Sequence, residues 1–328
     1  MKRALSMLLT LLLTIGLFCL PAQAAAPAPI KVGILQLMDH PSLQIIETAI
    51  QDELKALGLT DRIALTYVNA QGDFPNLPLL ASQLVGEGCT LLIPITTPCA
   101  QAAVTAAQDA GNVDVIFAAV TDPYAAALLP LEPDPAVRVA GVSDEVAVDR
   151  ILDMAQKLTP GFDTIGLLYN AGEANSVSGV DAAKAYAQSH GLQVTEAVVS
   201  STAEVAQAAQ SLAGKADICF TSNDNTVASA MPVYAQMGLD NKIPVYVGAD
   251  TMVADGGLAT IGINYTDLGK AVAAMVQEYL DGATPAQLGV RVLPGGVPII
   301  NVDVAEALGI TIPEDLQGAQ LLHTGDAL

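Results

Sequence analysis

The sequence predicts an α/β protein built from two Rossmann-like three-layer domains, each a mostly parallel sheet between helices. Short apolar runs that suit buried strands alternate with segments long enough for helices, and the connections between them are short. Such alternation is typical of βαβ units and of a parallel sheet. The same order of elements runs through the chain twice, so we expect two domains of similar design.

The first half contains five predicted strands and the helices between them. The strands are expected at residues 30–37, 63–68, 91–95, 113–119 and 137–142, and the helices after residues 39–42, at 75–85 and at 100–110. Gly58 and Gly111 follow two of these helices, and glycine is the residue expected just past a helix end.

The second half repeats this order, with strands at residues 164–169, 194–199, 218–221 and 245–248. At residues 164–176 an apolar run stops and a polar segment opens a helix that we place at residues 177–190. In an open α/β sheet, ligands collect outside the carboxyl ends of the strands. Residues 170–176 are therefore a candidate binding loop.

The rest of the chain predicts crossings between the two domains. After a strand at 258–263, a helix at 266–280, a passage rich in proline and glycine at 282–298 and a strand at 297–302 remain. Each is most simply explained as returning to one domain, which produces a multi-strand hinge. We expect the following division: signal peptide 1–24, linker 25–29, first domain 30–143 plus 266–290, second domain 144–265 plus 291–320, and tail 321–328.

The composition excludes several partner classes. The formal net charge is −21, and tryptophan is absent among the 4% of aromatic residues. Nucleic acids and anionic membranes require a basic face, so neither is an expected partner. The cores must be built mainly from alanine, valine, leucine and isoleucine.

The N-terminus predicts export. Lys2 and Arg3 precede an apolar run at residues 4–20, and Ala22-Gln23-Ala24 is a small-x-small cleavage site. We expect a cleaved signal, with an uncleaved anchor as the alternative, and a location in the periplasm or at the outer face of the cytoplasmic membrane. Lipid attachment at Cys19 is disfavoured, because Phe18 stands where a lipobox needs a small residue.

The remaining cysteines predict neither a disulfide nor a metal site. Cys89 and Cys99 flank the strand at 91–95, and a strand of that length separates its ends by more than the ~7 Å that a disulfide spans. Cys219 lies inside another apolar run and is expected to be buried. Cys99 and Cys219 leave one enzymatic alternative, a racemase with a cysteine from each domain, but no other catalytic motif is present.

The strand-exit loops carry neutral hydrogen-bonding groups and a few carboxylates. The predicted ligand-binding residues are His40, Gln71, Thr96, Thr97, Thr121, Asp122, Tyr124, Asn175, Ser176, Asp224, Asn225 and Asp250. Each could instead cap a helix, since Ser, Thr, Asp and Asn are the preferred capping residues. Helix N-termini and hydroxyls would hold an α-carboxylate, and an aspartate would pair with an α-ammonium.

Several segments together resemble the extracytoplasmic substrate-binding proteins of ATP-driven importers, in the branch associated with aromatic amino acids. These segments are Asp39-His40-Pro41, Asn69-Ala70-Gln71-Gly72-Asp73, Thr97-Pro98, Val120-Thr121-Asp122-Pro123, Gly172-Glu173-Ala174-Asn175-Ser176 and Thr221-Ser222-Asn223-Asp224-Asn225-Thr226-Val227. Cys99 departs from the small residue expected behind Thr97-Pro98.

The resemblance implies a type I periplasmic-binding-protein fold with a three-strand hinge, and a monomer that delivers tryptophan, tyrosine or phenylalanine to a permease and an ATPase. No cofactor, metal or catalysis is implied. Thr97 and Thr121 would hold the ligand carboxylate, with Asn175 and Ser176 reaching across, and Asp224 or Asp250 would take the ammonium. A ligand-sensing receptor module is the alternative that the sequence leaves open.

Overall fold

The computed structural model describes residues 28–293 and 296–326. The expected signal peptide, its cleavage site and Cys19 lie outside the described residues. Within the described ranges, no helix is both long and apolar enough to cross a membrane.

The helices and strands follow one another along the chain as the alternating pattern predicts. The first part contains β1 (Ile30–Gln36), α1 (Pro41–Ala56), β2 (Ile63–Asn69), α2 (Leu77–Gly86), β3 (Leu91–Ile95), α3 (Thr97–Ala110), β4 (Asp114–Ala118) and β5 (Val139–Ser143). The second contains α4 (Val148–Leu158), β6 (Thr164–Asn170), α5 (Ala174–His190), β7 (Gln193–Val199), α6 (Val205–Gln210), β8 (Ile218–Thr221), α7 (Asn225–Ala228), α8 (Met231–Asn241), β9 (Val245–Val247), α9 (Asp250–Ala254) and β10 (Ala259–Ile261). The last contains α10 (Tyr265–Leu280), α11 (Pro285–Leu288), β11 (Val290–Val292), β12 (Pro298–Asn301), α12 (Val302–Leu308) and β13 (Gln320–Leu322).

Two separate sheets form the cores. The first has the order β11-β5-β4-β3-β1-β2 and is parallel throughout. The second has the order β13-β12-β10-β9-β8-β6-β7, and β10 and β12 are its antiparallel pair. Strands such as β3 and β4 are buried along their whole length, as expected for strands covered by helices on both faces.

The chain crosses between the sheets three times, after β5, after β10 and after β11. Helix α10 returns to the first sheet and packs against α1. Gly269 allows this close contact, because a Cβ atom there would lie only 2.6 Å from Cβ of Ala49. The α/β fold class with two sheets and a three-strand hinge is therefore confirmed.

Several boundaries differ from those expected. β11 extends the first sheet to Val292, and β13 extends the second sheet into the expected tail. Helix α3 begins at Thr97 and α5 at Ala174, each three residues earlier than predicted. Thr97 and Asn175 therefore lie in the first turns of these helices. The earlier starts are possible because proline and small polar residues are tolerated at helix N-termini.

Candidate functional site

A small enclosed cavity lies at the carboxyl ends of the central strands of both sheets. Together with the open space at its mouth, it contains about 360 Å³ that no protein atom occupies. The lining residues come from the segments that follow β1, β3, β4 and β5 on one side and β6, β8, β9 and β10 on the other: His40, Ser42, Leu43, Ile46, Thr96, Thr97, Ala119, Thr121, Asp144, Asn175, Asn223, Asn225, Ala228, Ala249, Met252 and Tyr265. Both halves of the chain thus contribute to one site, as the strand-exit rule for α/β sheets predicts.

Hydrogen bonds join the two walls of the cavity directly. The amide nitrogen of Asn223 donates to Oγ1 of Thr121 and to Oδ2 of Asp144, at 2.7 Å in each case. His40 Nε2 lies 3.3 Å from Oδ1 of Asn225, and the hydroxyls of Ser42 and Thr251 also form a hydrogen bond. The two halves are therefore closed over the cavity.

Unpaired polar atoms are concentrated at the cavity. Among the described residues, eight buried side-chain nitrogen or oxygen atoms have no hydrogen-bond partner, and four belong to cavity-lining residues. These four are His40 Nδ1, Thr96 Oγ1, Thr97 Oγ1 and Asn175 Oδ1. An unpaired buried polar group costs about 1–3 kcal/mol. A ligand that supplies both donors and acceptors would recover this cost.

Two lining residues have unusual backbone conformations. Thr96 has φ of 94° and Ala119 has φ of 55°, and a residue with a side chain adopts such positive values only at a cost of order 1–3 kcal/mol. The Thr96 amide nevertheless donates to the Ala118 carbonyl oxygen at 3.0 Å, which ties the end of β3 to the end of β4. The exits of these two strands are thus held in a fixed arrangement at the cavity wall.

Asp144 is the carboxylate that lines the cavity. Its Oδ1 accepts from the Thr121 hydroxyl at 3.0 Å and its Oδ2 from Asn223 at 2.7 Å. Burial raises the pKa of Asp144 to about 6, although these hydrogen bonds and the nearby Tyr265 hydroxyl oppose the shift. None of the ion pairs within the described ranges involves Asp144. A positively charged ligand group is the partner that this carboxylate lacks.

His40, on the same side of the cavity as Asp144, is neutral at physiological pH. Burial lowers its pKa to about 4, against the opposing effects of its hydrogen bond to Asn225 and of the nearby Asp39. The ring therefore offers hydrogen-bonding atoms to the cavity without adding positive charge.

Two further carboxylates, Glu173 and Asp224, lie fully buried behind the wall formed by the second half. Asp224 Oδ2 accepts from the Asn170 amide and the Ser176 hydroxyl, both at 2.6 Å, and Oδ1 caps α7 by accepting from the Val227 amide at 2.8 Å. Burial, reinforced by the neighbouring Glu173, raises the pKa of Asp224 to about 7. Every Asp224 oxygen is thus occupied by the protein itself.

The structure brings half of the predicted ligand-binding residues to the cavity. His40, Thr96, Thr97, Thr121, Asn175 and Asn225 line it, whereas Gln71, Asp122, Tyr124, Ser176, Asp224 and Asp250 do not.

Local structure explains the positions of the residues that stay outside the cavity. Gln71 lies in an exposed turn after β2, and Asp122 accepts from the amides of Tyr124 and Ala125. The Tyr124 side chain is 49% exposed and lines a separate groove. Asp250 is the first residue of α9 and accepts from the Thr251 amide. The roles of Asp224 and Asp250 toward an ammonium group stay predictions, whereas Asp144 is the aspartate that lines the cavity.

Sequence reasoning missed Ser42, Asp144, Asn223, Met252 and Tyr265. Asp144 directly follows β5, just as the segment that contains Asp122 follows β4. Its position at the exit of a strand is the signal in the sequence that identifies Asp144. Tyr265 begins α10, in a passage that the sequence identified only as a crossing.

Within the described residues, Cys89, Cys99 and Cys219 are free and buried. The sequence predicts the lack of a bridge between Cys89 and Cys99 and the burial of Cys219. Burial raises the pKa of Cys99 and of Cys219 to about 12. Both thiols stay protonated at neutral pH, so neither supplies the thiolate base that the racemase alternative requires.

The sequence and the fold match known proteins over most of the chain. Residues 31–320 match the family model for the ABC transporter substrate binding protein. The tyrosine-binding protein of Clostridioides difficile strain R20291 is 36% identical over 280 residues, which cover 85% of this chain and 80% of the relative. The family match begins at residue 31, after the N-terminal segment.

Two solved structures differ in how closely they match. An ABC domain from Streptococcus pneumonia in complex with L-Trp has a TM-score of 0.85 at 38% identity, and covers 90% of this chain and 100% of its own. The ligand-free, open structure of a substrate binding protein with adhesive properties from Clostridium difficile has a TM-score of 0.67 at 35% identity. That match covers 90% of this chain and 99% of the open structure. Because identity and coverage are nearly equal, the higher TM-score indicates that the arrangement of the two sheets is more similar to that of the complex than to that of the open structure.

Proposed function

Because the chain belongs to the family of ABC transporter substrate-binding proteins, we propose that it captures one aromatic amino acid in its closed cavity and delivers it to the permease of an importer. The observation that carries this proposal is that a buried carboxylate without an ion-pair partner among the described residues, Asp144, lines the same cavity as the unpaired hydroxyls of Thr96 and Thr97. A small zwitterion satisfies both groups, because its ammonium pairs with the Asp144 carboxylate and its carboxylate accepts from the two threonine hydroxyls.

The ligand carboxylate binds at the start of α3. The hydroxyls of Thr96 and Thr97 lack partners, and the N-terminus of this 14-residue helix favours negative charge. The lining residues include no lysine or arginine, so hydroxyl groups and backbone amides take the place of a basic side chain. This arrangement suits one carboxylate within a neutral zwitterion better than a ligand with net negative charge.

The ligand ammonium binds Asp144. A buried ammonium must meet a negative partner, because an unpaired buried charge costs too much free energy. The positive charge also favours the ionised form of Asp144, so ligand binding lowers the pKa of this carboxyl.

The apolar part of the cavity receives the ligand side chain. Leu43, Ile46, Ala228 and Met252 supply the apolar lining, and methionine sulfur makes favourable contacts with aromatic rings. The relatives described as binding tyrosine and L-Trp support an aromatic side chain. The cavity closes by a hinge motion of two domains, which are divided at the three crossings of the chain. The protein acts as an exported monomer that delivers its ligand to the permease and the ATPase of an importer.

The test is a ligand screen on the chain without residues 1–24, refolded to remove any ligand that co-purifies. Thermal melting is measured with each common amino acid, and hits are confirmed by calorimetry. Tyrosine, tryptophan or phenylalanine should raise Tm, since a hundredfold excess over Kd stabilises the native state by about 2.7 kcal/mol.

Tyramine, which lacks the carboxylate, and 3-(4-hydroxyphenyl)propionate, which lacks the ammonium, are the controls. Both should bind far more weakly than L-tyrosine. If no amino acid shifts Tm, the proposed ligand class is wrong, while equal binding of all three compounds would show that the charged ends are not recognised.

A further inference from the structure

Glu173 is a fully buried glutamate that does not line the cavity. Its carboxylate accepts five hydrogen bonds: from the Asn175 side chain at 3.2 Å, from the Asn225 side chain and amide at 2.5 and 3.2 Å, and from the Thr226 amide and hydroxyl at 3.0 and 2.8 Å. No ion pair in the described part of the chain involves Glu173. Two of its donors, Asn175 and Asn225, do line the cavity.

The Glu173 carboxylate determines whether the oxygen or the nitrogen of the Asn175 side-chain amide faces the cavity. Nδ2 of Asn175 donates to Glu173 and, at 3.1 Å, to the carbonyl oxygen of Asn223. The reversed amide would place its oxygen against two groups that can only accept, so this orientation is determined by the network. Oδ1 of Asn175 is consequently a buried acceptor without a partner.

The same logic extends through Asn225 to His40 on the opposite wall. Asn225 Nδ2 donates to Glu173, so its Oδ1 is the atom that meets His40 Nε2. An amide oxygen can only accept, so Nε2 of the neutral ring must carry the proton. Nδ1 of His40 is then also an unpartnered acceptor.

We infer that Glu173 is a positioning residue that makes the cavity selective for amine-bearing ligands, by holding Asn175 Oδ1 and His40 Nδ1 as acceptors in the cavity that Asp144 also lines. The inference rests on the proposed function and specifies how the site recognises the ligand. A protonated amine, together with an indole N–H or a phenol O–H, supplies donors for these atoms. A ligand without the amine leaves buried acceptors unpaired, and a site built this way discriminates strongly against it.

The decisive variant is Glu173→Gln. Backbone amides donate to both oxygens of Glu173, but the Thr226 amide at 3.0 Å is closer than the Asn225 amide at 3.2 Å. We therefore expect the new carboxamide to keep its oxygen at Thr226 and to direct its NH₂ toward the side chains of Asn175 and Asn225. Both asparagines must then turn, and the cavity presents donors where it presented acceptors. The parent's preference for L-tyrosine over 3-(4-hydroxyphenyl)propionate, measured by calorimetry, should fall at least tenfold.

The tautomer of His40 provides a readout that a merely structural role of Glu173 would not change. In the ligand-free parent, ¹⁵N NMR should show the proton on Nε2, and in Glu173→Gln on Nδ1, because the turned Asn225 then donates to Nε2. The chain has three histidines, so the signal can be assigned by substituting the other two. Glu196→Gln, at an exposed glutamate that pairs with Lys184 in the same half, is the matched control and should change neither readout.

The outcomes separate this inference from the proposed function. If the parent binds neither L-tyrosine nor L-tryptophan, the proposed function fails. If the parent binds L-tyrosine selectively and Glu173→Gln keeps both the selectivity and the His40 tautomer, the positioning role alone is overturned. Should Glu173→Gln fail to fold, Asn175→Ala decides: a smaller preference for L-tyrosine over its analogue supports the inference, and an unchanged preference overturns it.

Discussion

Asp144→Asn should weaken ligand binding and stabilise the unliganded protein. The substitution keeps the shape of the side chain, and the Thr121 hydroxyl, which now donates to Asp144, can accept from the new amide instead. What the variant loses is the negative charge. Truncating one partner of a buried charge pair typically costs 2–5 kcal/mol, so the Kd for L-tyrosine should rise roughly 30- to several-thousand-fold.

Stability should change in the opposite direction at pH 7. Asp144 has a folded-state pKa of about 6 against an ordinary 3.8, so the native state holds this proton more tightly than the unfolded state. The contribution of Asp144 to stability is therefore largest below pH 4, falls as pH rises from about 4 to 6, and is constant above. Two pKa units correspond to about 3 kcal/mol. This is the upper limit of the stabilisation expected for the variant at pH 7.

The pH dependence of binding provides a third signature. At pH 5 only about a tenth of Asp144 is ionised in the free protein, so the parent should bind L-tyrosine roughly tenfold more weakly than at pH 7. Asp144→Asn should lose this dependence. Calorimetry between pH 5 and 8, together with melting curves of the unliganded proteins, measures all three effects.

Asp250→Asn is the matched control, because burial also raises the pKa of Asp250 to about 6, yet Asp250 does not line the cavity. This variant should also gain stability at pH 7 while keeping its affinity within about threefold. The argument for Asp144 is refuted if Asp144→Asn binds like the parent, or if Asp250→Asn loses as much affinity.

Two further predictions concern the first half of the chain. Thr97→Val removes one unpaired donor and should weaken L-tyrosine binding about tenfold by calorimetry, whereas Thr97→Ser should retain it; equal binding by all three proteins would exclude Thr97 from the carboxylate site. The thiols of Cys99 and Cys219, which are buried and have pKa values near 12, should react with a thiol reagent at pH 8 only as fast as the protein opens. Ligand should slow this reaction, and rapid labelling of the native protein would contradict the buried placement.

The sequence by itself determined the fold class and the region of the site. Strand-like runs such as residues 91–95, alternating with helices, allow few arrangements other than parallel sheets covered by helices. In such sheets the strand exits meet at one edge, so Thr96, Thr97 and Asn175 could be assigned to the cavity from their positions in the chain alone.

Short strands at the ends of the sheets were beyond sequence reasoning. β11 and β13 contain three residues each, which is too few for a period-two pattern to appear. Their pairing with β5 and β12 depends on partners far away in the chain.

Only the tertiary structure decided which carboxylate lines the cavity. Aspartate after a strand serves equally well as a helix cap and as a ligand contact, because both roles need an exposed acceptor at the same point of the chain. Asp224 is used as the cap of α7 and Asp122 is used by a turn. Asp144 comes four residues before α4 begins, so no helix N-terminus claims its oxygens. Its side chain instead turns toward Thr121 and Asn223, a direction set by how the two halves close.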